Sequence, residues 1–299
     1  MPHTSKYKYL DPTMLARVAN LQLVARLVVE GMISGLHKSP HQGFSVEFAE
    51  YRQYQPGDDL RYLDWKVYAK KDRLYLKTFQ EETNLKAYLL LDCSGSMGFG
   101  SGALTKFEYG AYLSAALSYL MIRQQDAVGL VAFDTGIRKF LSPRSSPQHL
   151  KDVLVSLESL RPSERTDTSK TFHDLAERFR RRGLIIVITD LFDDPEAVMQ
   201  GLAHFRHKKH EVVLFHLLDR AEVDFPYDDL IEFEDMETGE TIQVQSRMAR
   251  AQVREAVETF MEDYRRRCAD HRIDYVRVLT DRPVEQTLLS YLAKRSRLY

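Results

Sequence analysis

Short apolar segments alternate with longer helical segments from residue 85 onward, and this alternation constrains the fold more than any other feature of the sequence. The segments AVGLVAF (127–133), LIIVITD (184–190) and EVVLFHLL (211–218) have the length and apolar content of buried strands. Strands that alternate with helices are typical of right-handed crossovers, which build a mostly parallel sheet. The sequence therefore predicts a doubly wound α/β domain with helices on both faces of the sheet.

The first 84 residues have a different pattern. Apolar residues recur at helical spacing from Leu15 to Leu36, which predicts an amphipathic helix over residues 11–36. The segments GFSVEFAEYRQY and RLYLKTFQEE then alternate as half-buried strands do. We therefore expect residues 1–84 to form an N-terminal helix and a small β-rich arm packed on the main domain. Residues 85–299 are expected to form the α/β domain.

The composition argues against several classes of protein. The 42 Lys and Arg residues balance 43 Asp and Glu residues, so the chain lacks the basic excess that nucleic-acid binders usually carry. Cys93 and Cys268 are too few for a disulfide framework, and they fit a reducing compartment. The N-terminus shows no signal-peptide pattern, and no segment approaches the roughly 18 apolar residues that span a bilayer. We expect a cytoplasmic protein that neither binds nucleic acid nor inserts into a membrane.

Two of the apolar strands end in an aspartate. LLLD ends at Asp92 and is followed by Ser94 and Ser96, and VITD ends at Asp190. In open α/β sheets the ligand site lies at the carboxyl ends of the strands, near the point where the strand order reverses. Because alternate positions can point the same way, Asp92, Ser94 and Ser96 can present three oxygens to one ligand.

Hydroxyl and carboxylate oxygens together suit a hard cation, above all Mg²⁺, which takes six oxygen ligands at about 2.1 Å. Further ligands would come from Asp190, from Thr166 or Thr168 in the loop SERTDTSKT, and from water. The alternatives are that a serine caps the following helix, or that the segment is an ordinary turn. The combination of Asp92, Asp190 and a threonine loop favours the cation site.

A serine nucleophile is the competing catalytic interpretation. The elbow motif of α/β hydrolases requires G-x-S-x-G, whereas CSGSMG places neither serine between correctly spaced glycines. The histidines that could complete a triad are poorly placed, since His216 lies within a strand and His271 precedes the last strand. The sequence also contains no GxxxxGK[ST] phosphate loop, which argues against an ATPase.

The segment LLLDCSGSM, the later threonine loop and VITD together resemble a von Willebrand factor type A domain. The resemblance implies a metal-ion-dependent adhesion site that holds Mg²⁺ or Mn²⁺, whose coordination is often completed by a Glu or Asp of a partner. It implies a binding module and not an enzyme. The ligands that it implies are Asp92, Ser94, Ser96, Thr166 (or Thr168) and Asp190. The sequence departs from the family pattern after Asp190, where LFDD stands in place of an initial glycine.

The segment before residue 85 carries a second resemblance. RQYQPGDDLRYLDWKVYAKKDRLYLKTFQEE resembles the signature of domain-of-unknown-function family 58 (DUF58), whose bacterial members carry a type A-like domain. Known members are often encoded beside MoxR-type AAA+ ATPases. The resemblance therefore implies a role as an adaptor or co-chaperone for such an ATPase.

Within this segment, charged residues are concentrated around the only tryptophan of the chain. They are Asp58, Asp59, Arg61, Asp64 and Trp65. Trp65 can bury about 200 Å² and lock the arm onto the main sheet. Arg61 can bind a carboxylate through two hydrogen bonds. The segment is therefore either a structural clasp or a docking surface for the partner.

Two functions of different classes follow from these features. The first is a non-enzymatic, metal-dependent protein-binding module that serves a MoxR-type AAA+ ATPase. The second is a metal-dependent hydrolase that uses Asp92 and Asp190 around the cation, which would need a general base and a substrate pocket. A degenerate site on a plain scaffold is the third interpretation, and the intact D-x-S-x-S pattern argues against it. The sequence favours the binding module.

Overall fold

The computed structural model describes residues 51–53, 75–77, 86–163, 168–234 and 240–295. The chain divides into two compact units, of which the smaller comprises residues 36–84. In that unit, strands β1 (Tyr51–Gln53) and β2 (Tyr75–Lys77) pair in an antiparallel ladder. The helix predicted over 11–36 lies outside the described residues, and the domain boundary at residue 84 stays a prediction.

The larger unit contains an alternating series of strands and helices. In chain order they are β3 (Lys86–Asp92), α1 (Lys106–Arg123), β4 (Ala127–Phe133), β5 (Ile137–Arg144), α2 (Pro147–Ser159), α3 (Thr168–Arg178), β6 (Leu184–Thr189), α4 (Pro195–His207), β7 (Glu211–Leu218), α5 (Arg220–Asp224), β8 (Leu230–Glu234), β9 (Thr241–Gln245), α6 (Ser246–Asp270), β10 (Asp274–Leu279) and α7 (Val284–Arg295). A short 3-10 turn, Ser96–Gly98, follows β3.

Six of these strands form the central sheet, in the order β10-β7-β6-β3-β4-β5. Neighbouring strands are parallel except for β4 and β5, which are antiparallel. Helices cover both faces, and two apolar cores result. One core includes side chains of α1, α2 and α7, and the other includes side chains of α3, α4 and α6. The predicted α/β class, with a mostly parallel sheet covered on both faces, is therefore confirmed.

Helix α1 packs closely on the sheet at Gly110. Its N-terminus is fixed by a capping box in which the Thr105 hydroxyl accepts from the Glu108 N–H at 3.1 Å, while Glu108 accepts from the Thr105 N–H. Four residues into the helix, a Cβ on Gly110 would lie 2.9 Å from Leu91 Cδ1 and 3.2 Å from Ile188 Cγ2. The absence of a side chain at Gly110 therefore lets the first turns of α1 rest on β3 and β6.

The apolar segments 127–133, 184–190 and 211–218 form the strands β4, β6 and β7, and β6 ends one residue earlier than its segment, at Thr189. The short helix α5 has no counterpart in the sequence pattern. After α3, Phe179 turns into the core and stacks on Tyr88, with ring centroids 3.8 Å apart. The antiparallel strands β8 and β9 form a hairpin, and its tip lies outside the described residues. No helix within the described ranges has the length and apolar content that crossing a membrane requires.

Candidate functional site

The candidate site lies where the order of the strands reverses. From β3 the chain passes to β4 on one side, and it later returns to β6 on the other side of β3. The carboxyl ends of β3 and β6 therefore lie at the position in the topology at which open α/β sheets bind ligands. Asp92 is the last residue of β3 and Asp190 directly follows β6, and the two side chains are only 2% and 1% exposed.

Asp92 is held by donors from its own loop and from β6. Its Oδ1 accepts from the Ser94 N–H at 2.9 Å, and its Oδ2 accepts from the Thr189 hydroxyl at 2.6 Å. Burial, reinforced by the negative charge of Asp190, raises the pKa of Asp92 from 3.8 to about 7, although these hydrogen bonds oppose the change. The site therefore gathers negative charge that favours either a proton or a nearby cation.

The two serines bring their hydroxyls together beside Asp92. Ser94 Oγ lies 3.1 Å from Ser96 Oγ, and Ser94 is almost fully buried. Adjacent ligands of an octahedral Mg²⁺ with bonds of about 2.1 Å stand about 3.0 Å apart, which is the spacing these hydroxyls already have. Two carboxylates and two hydroxyls are oxygen donors of the kind that Mg²⁺ prefers, so the donor chemistry fits this cation.

Asp190 is paired with a buried lysine from α1. Lys106 Nζ lies 2.8 Å from Asp190 Oδ2 and 2.5 Å from Glu222 Oε1, so one ammonium bridges two carboxylates. Burial alone would lower the pKa of Lys106, but Asp190 and Glu222 together raise it above its ordinary value. Lys106 is 1% exposed, and its charge is therefore maintained by its two acidic partners.

The network continues from Glu222 to the end of β7. Glu222 Oε2 accepts from the Asp219 N–H at 2.7 Å, and Asp219 in turn caps α5 by accepting from the Ala221 N–H at 2.8 Å. Asp219 also accepts from the N–H of Ser101 at 2.9 Å and from the Ser101 hydroxyl. Although its partial burial acts in the opposite direction, these hydrogen bonds lower the pKa of Asp219. The loop after β3 is thereby tied to the start of α5.

The residue after Asp190 has an uncommon backbone conformation. Leu191 has φ of 61°, in the left-handed region that favours glycine, and its side chain is buried. The Leu191 N–H donates to Thr189 Oγ1 at 3.0 Å, and its carbonyl accepts from the Asp193 N–H at 2.8 Å. The left-handed conformation costs a non-glycine residue about 1–2 kcal/mol. The buried leucine side chain and these hydrogen bonds offset that strain.

A protein-family comparison identifies the chain. The family described as "Protein of unknown function DUF58" matches residues 50–267, which is well over half of the sequence. The chain belongs to the DUF58 family.

This DUF58 chain shows similarity to a curated relative and to solved structures. It is 25% identical over 301 residues to the uncharacterized protein Rv1480 of Mycobacterium tuberculosis, covering 96% of this chain and 91% of that protein. An aerotolerance-related membrane protein from Bacteroides fragilis aligns with 70% of this chain and 99% of its own, at 18% identity and a TM-score of 0.49. The SpRpn10 VWA domain aligns with 68% of this chain and 93% of its own, at 11% identity and a TM-score of 0.38.

The DUF58 structure brings four of the sequence-predicted site residues to one edge of the sheet, namely Asp92, Ser94, Ser96 and Asp190. Thr166 lies outside the described residues, and Thr168 begins α3 without a described side chain. The arm residues Asp58, Asp59, Arg61, Asp64 and Trp65 also lie outside the described residues. In the part of the chain that the structure describes, no three His, Cys, Asp or Glu side chains are grouped so as to hold a metal ion.

Sequence reasoning missed three residues that shape this edge of the DUF58 fold. Thr189 orients Asp92, and Lys106 and Glu222 form the ion pairs around Asp190. A signal for Thr189 was available, because a hydroxyl-bearing residue directly precedes Asp190 at the end of an apolar strand. The contacts of Lys106 and Glu222 depend on the packing of α1 and α5, which no local pattern specifies.

Proposed function

We propose that the chain is a non-enzymatic protein-binding module with a divalent cation, Mg²⁺ or Mn²⁺, at the strand-order reversal. Asp92, Ser94, Ser96 and Asp190 would hold the cation, together with Thr166 or Thr168. A carboxylate of the partner protein would complete its coordination. The convergence of two buried carboxylates and two hydroxyls at the ends of β3 and β6 is the observation that supports this proposal most directly.

The chemistry of the cluster supports a cation. Burial and the neighbouring negative charge of Asp190 raise the pKa of Asp92, so a bound divalent cation would supply positive charge that favours the ionised form of Asp92. The Thr189 hydroxyl and the Ser94 N–H hold the Asp92 carboxylate from two sides. Asp92 therefore needs little rearrangement to accept a ligand, and such pre-organisation favours binding.

The surroundings also support a protein partner. Phe192, two residues after Asp190, is 50% exposed while its ring stacks on Phe260 with centroids 6.0 Å apart. Aromatic residues, Phe included, are enriched at protein interfaces relative to the rest of the surface. We propose a MoxR-type AAA+ ATPase in the cytoplasm as the partner, because the DUF58 signature implies that association. The chain would then act as an adaptor or co-chaperone.

The alternative, a metal-dependent hydrolase, needs a general base that faces a substrate. The histidine of the neighbouring strand β7, His216, is fully buried, and its Nδ1 lies 2.6 Å from the Tyr275 hydroxyl. Burial lowers the pKa of His216 to about 4. This histidine is packed within the fold, as the sequence predicted, and it favours no hydrolytic role.

Titration calorimetry of the full chain with MgCl₂ and MnCl₂ tests the cation site. The wild type should bind one equivalent, and Asp92→Ala should lose binding while keeping its far-UV circular dichroism spectrum. Asp152→Ala, which removes a carboxylate from the remote helix α2, is the matched control and should bind as the wild type does. Equal binding by wild type and Asp92→Ala would contradict the site.

The partner is tested separately by capture of the purified MoxR-type ATPase on the immobilised chain. Capture should require Mg²⁺, should be lost in EDTA, and should be weakened by Asp92→Ala. Capture that is indifferent to both EDTA and Asp92→Ala would place the interaction elsewhere on the chain. The arm segment that contains Trp65 would then be the surface to test.

A further inference from the structure

Lys106 is a buried cation in contact with the candidate site, and the proposed function gives it no role. Its ammonium stands 2.8 Å from Asp190 Oδ2 and 2.5 Å from Glu222 Oε1, and the side chain is 1% exposed. A lysine is almost never fully buried unless it is paired. One of the two carboxylates of the proposed cation site is therefore already partnered by a positive charge from the protein itself.

The ammonium is held in place by its surroundings. The Lys106 N–H donates to the Phe99 carbonyl at 2.9 Å, which fixes the backbone below the side chain. The rings of Phe192 and Phe99 lie 4.7 and 5.8 Å from Nζ, so aromatic faces stand where water would otherwise solvate the charge. Because the ammonium has little access to solvent, its positive charge is balanced by the two carboxylates that contact it.

Glu222 is a fixed second acceptor for this ammonium. Its Oε1 takes the ion pair, while its Oε2 is anchored by the Asp219 N–H at the start of α5. The ammonium of Lys106 can therefore keep its ion pair with Glu222 when Asp190 binds another cation. Asp190 is therefore the carboxylate that the ammonium and the proposed cation would share, whereas Glu222 lies outside the proposed set of cation ligands.

We propose that Lys106 is an internal counter-ion that competes with the divalent cation for Asp190, and that Glu222 retains the ammonium when the cation binds. The inference rests on the proposed cation site. A monovalent cation gains little at a carboxylate that an ammonium already neutralises, whereas a divalent cation brings the larger charge. Lys106 therefore lowers the intrinsic affinity of the site and makes it selective for divalent cations.

Substitutions of Lys106 and of Glu222 should change the affinity for Mg²⁺ in opposite directions. Lys106→Met removes the competing charge while keeping an unbranched side chain of similar length, so Mg²⁺ should bind at least tenfold more tightly. Glu222→Gln removes the second acceptor and leaves Asp190 as the sole carboxylate at the ammonium, so Mg²⁺ should bind several-fold more weakly. A merely structural role for the two residues would weaken binding in both variants or in neither.

The experiment is titration calorimetry of MgCl₂ into the full-length wild type, Lys106→Met and Glu222→Gln. Lys139→Met, which removes an exposed lysine from β5, is the matched control for loss of one positive charge. Thermal unfolding in EDTA verifies that each variant is folded. Tighter binding by Lys106→Met, weaker binding by Glu222→Gln and an unchanged control are the expected results. If Lys106→Met does not fold, Glu222→Gln decides alone.

The outcomes separate this inference from the proposed function. Wild-type binding that Asp92→Ala abolishes, with unchanged or weaker binding by Lys106→Met, overturns the competition and leaves the cation site intact. Unchanged binding by Glu222→Gln likewise overturns the role of the second acceptor. No binding by the wild type or by any folded variant overturns the cation site itself, and the competition with it.

Discussion

The Thr189 hydroxyl makes the most specific contact at the candidate site, and its removal gives the sharpest test of the geometry. It donates to Asp92 Oδ2 at 2.6 Å and accepts from the Leu191 N–H at 3.0 Å, and the residue is 1% exposed. Thr189→Val keeps the β-branched shape and replaces the hydroxyl with a methyl group. Thr189→Ser keeps the hydroxyl and removes the methyl group, so the pair of variants separates hydrogen bonding from packing.

The expected magnitude follows from these two contacts. A hydrogen bond to a charged group contributes about 1.5–3 kcal/mol, and a buried donor left without a partner costs about 1–3 kcal/mol. Because the loops at the sheet edge can relax and admit water, we expect Thr189→Val to lower the free energy of unfolding by about 2–4 kcal/mol. Thr189→Ser loses one buried methyl group and should cost about 1 kcal/mol.

The effect of Thr189→Val should also depend on pH. Burial and the charge of Asp190 raise the pKa of Asp92 to about 7, and the Thr189 hydrogen bond lowers it. Without the hydroxyl, this pKa rises further. Because the folded state then holds the proton more tightly than the unfolded chain does, ionisation of Asp92 favours unfolding. The difference in stability between wild type and Thr189→Val should therefore be smaller below pH 6, where the cost of the unpaired Leu191 N–H remains, and should grow as the pH rises through 7.

Urea unfolding in EDTA, followed by circular dichroism at pH 5.5 and pH 8.5, measures both quantities. The chelator removes the contribution of any bound cation, so the curves report the protein alone. A Thr189→Val variant within 1 kcal/mol of Thr189→Ser at pH 8.5 would contradict the hydrogen bond to Asp92. A penalty that shrinks as the pH rises would contradict the direction of the Asp92 pKa shift.

Two further predictions concern the same sheet. Because burial and the charge of Asp190 raise the pKa of Asp92 from 3.8 to about 7, this group costs stability increasingly as the pH rises between these two values, so Asp92→Asn should raise the melting temperature in EDTA more at pH 8 than at pH 5; a decrease at pH 8 refutes this. A Cβ on Gly129 would lie 2.7 Å from the Leu141 carbonyl oxygen, so Gly129→Ala should cost about 1–3 kcal/mol in urea unfolding. Gly136→Ala, whose Cβ would meet nothing within 4 Å, is its control, and equal stability of the two variants would contradict the close contact.

The central strands of the α/β domain could be predicted because buried strands consist of short runs of apolar residues. All six residues of β6 are buried, and LIIVIT is correspondingly apolar throughout. The edge strand β5 is harder to delimit from its sequence, because its residues are exposed or half-buried and give a mixed pattern. The helix α5 was missed because five residues are too few to show a helical period.

Some features of the candidate site could likewise be predicted from the sequence, and others could not. Asp92 and Asp190 could be placed because each follows an apolar strand, and the carboxyl ends of parallel strands meet at one edge. The left-handed conformation of Leu191 could not be predicted, because a leucine gives no signal for positive φ. The sequence departs from the type A pattern there, yet the chain still makes a turn that glycine would make more easily.

The burial of Lys106 at the candidate site could not be predicted from the sequence, and the reason is more general. It belongs to a row of residues on α1 at four-residue spacing, Lys106, Gly110, Ser114 and Ser118, whose composition reads as a solvent-exposed face. In the structure, Ser114 and Ser118 are fully buried. Each hydroxyl donates at 2.8 Å to a carbonyl one turn earlier in the helix, so burial leaves neither hydroxyl without a hydrogen bond. Small side chains let this face approach the sheet, since even a Cβ on Gly110 would lie only 2.9 Å from Leu91 Cδ1.

The same row explains why a lysine reaches the end of β6. A helix with large apolar residues on this face would stand further from the sheet, since helix packing distances depend on the side chains at the contact. Because the row is small, α1 lies close, and its first turn carries the Lys106 ammonium to within 2.8 Å of Asp190. The small, weakly hydrophobic residues of this row make the buried face of α1 hard to recognise from hydropathy. The same residues let α1 approach the sheet and bring a positive charge to the candidate site.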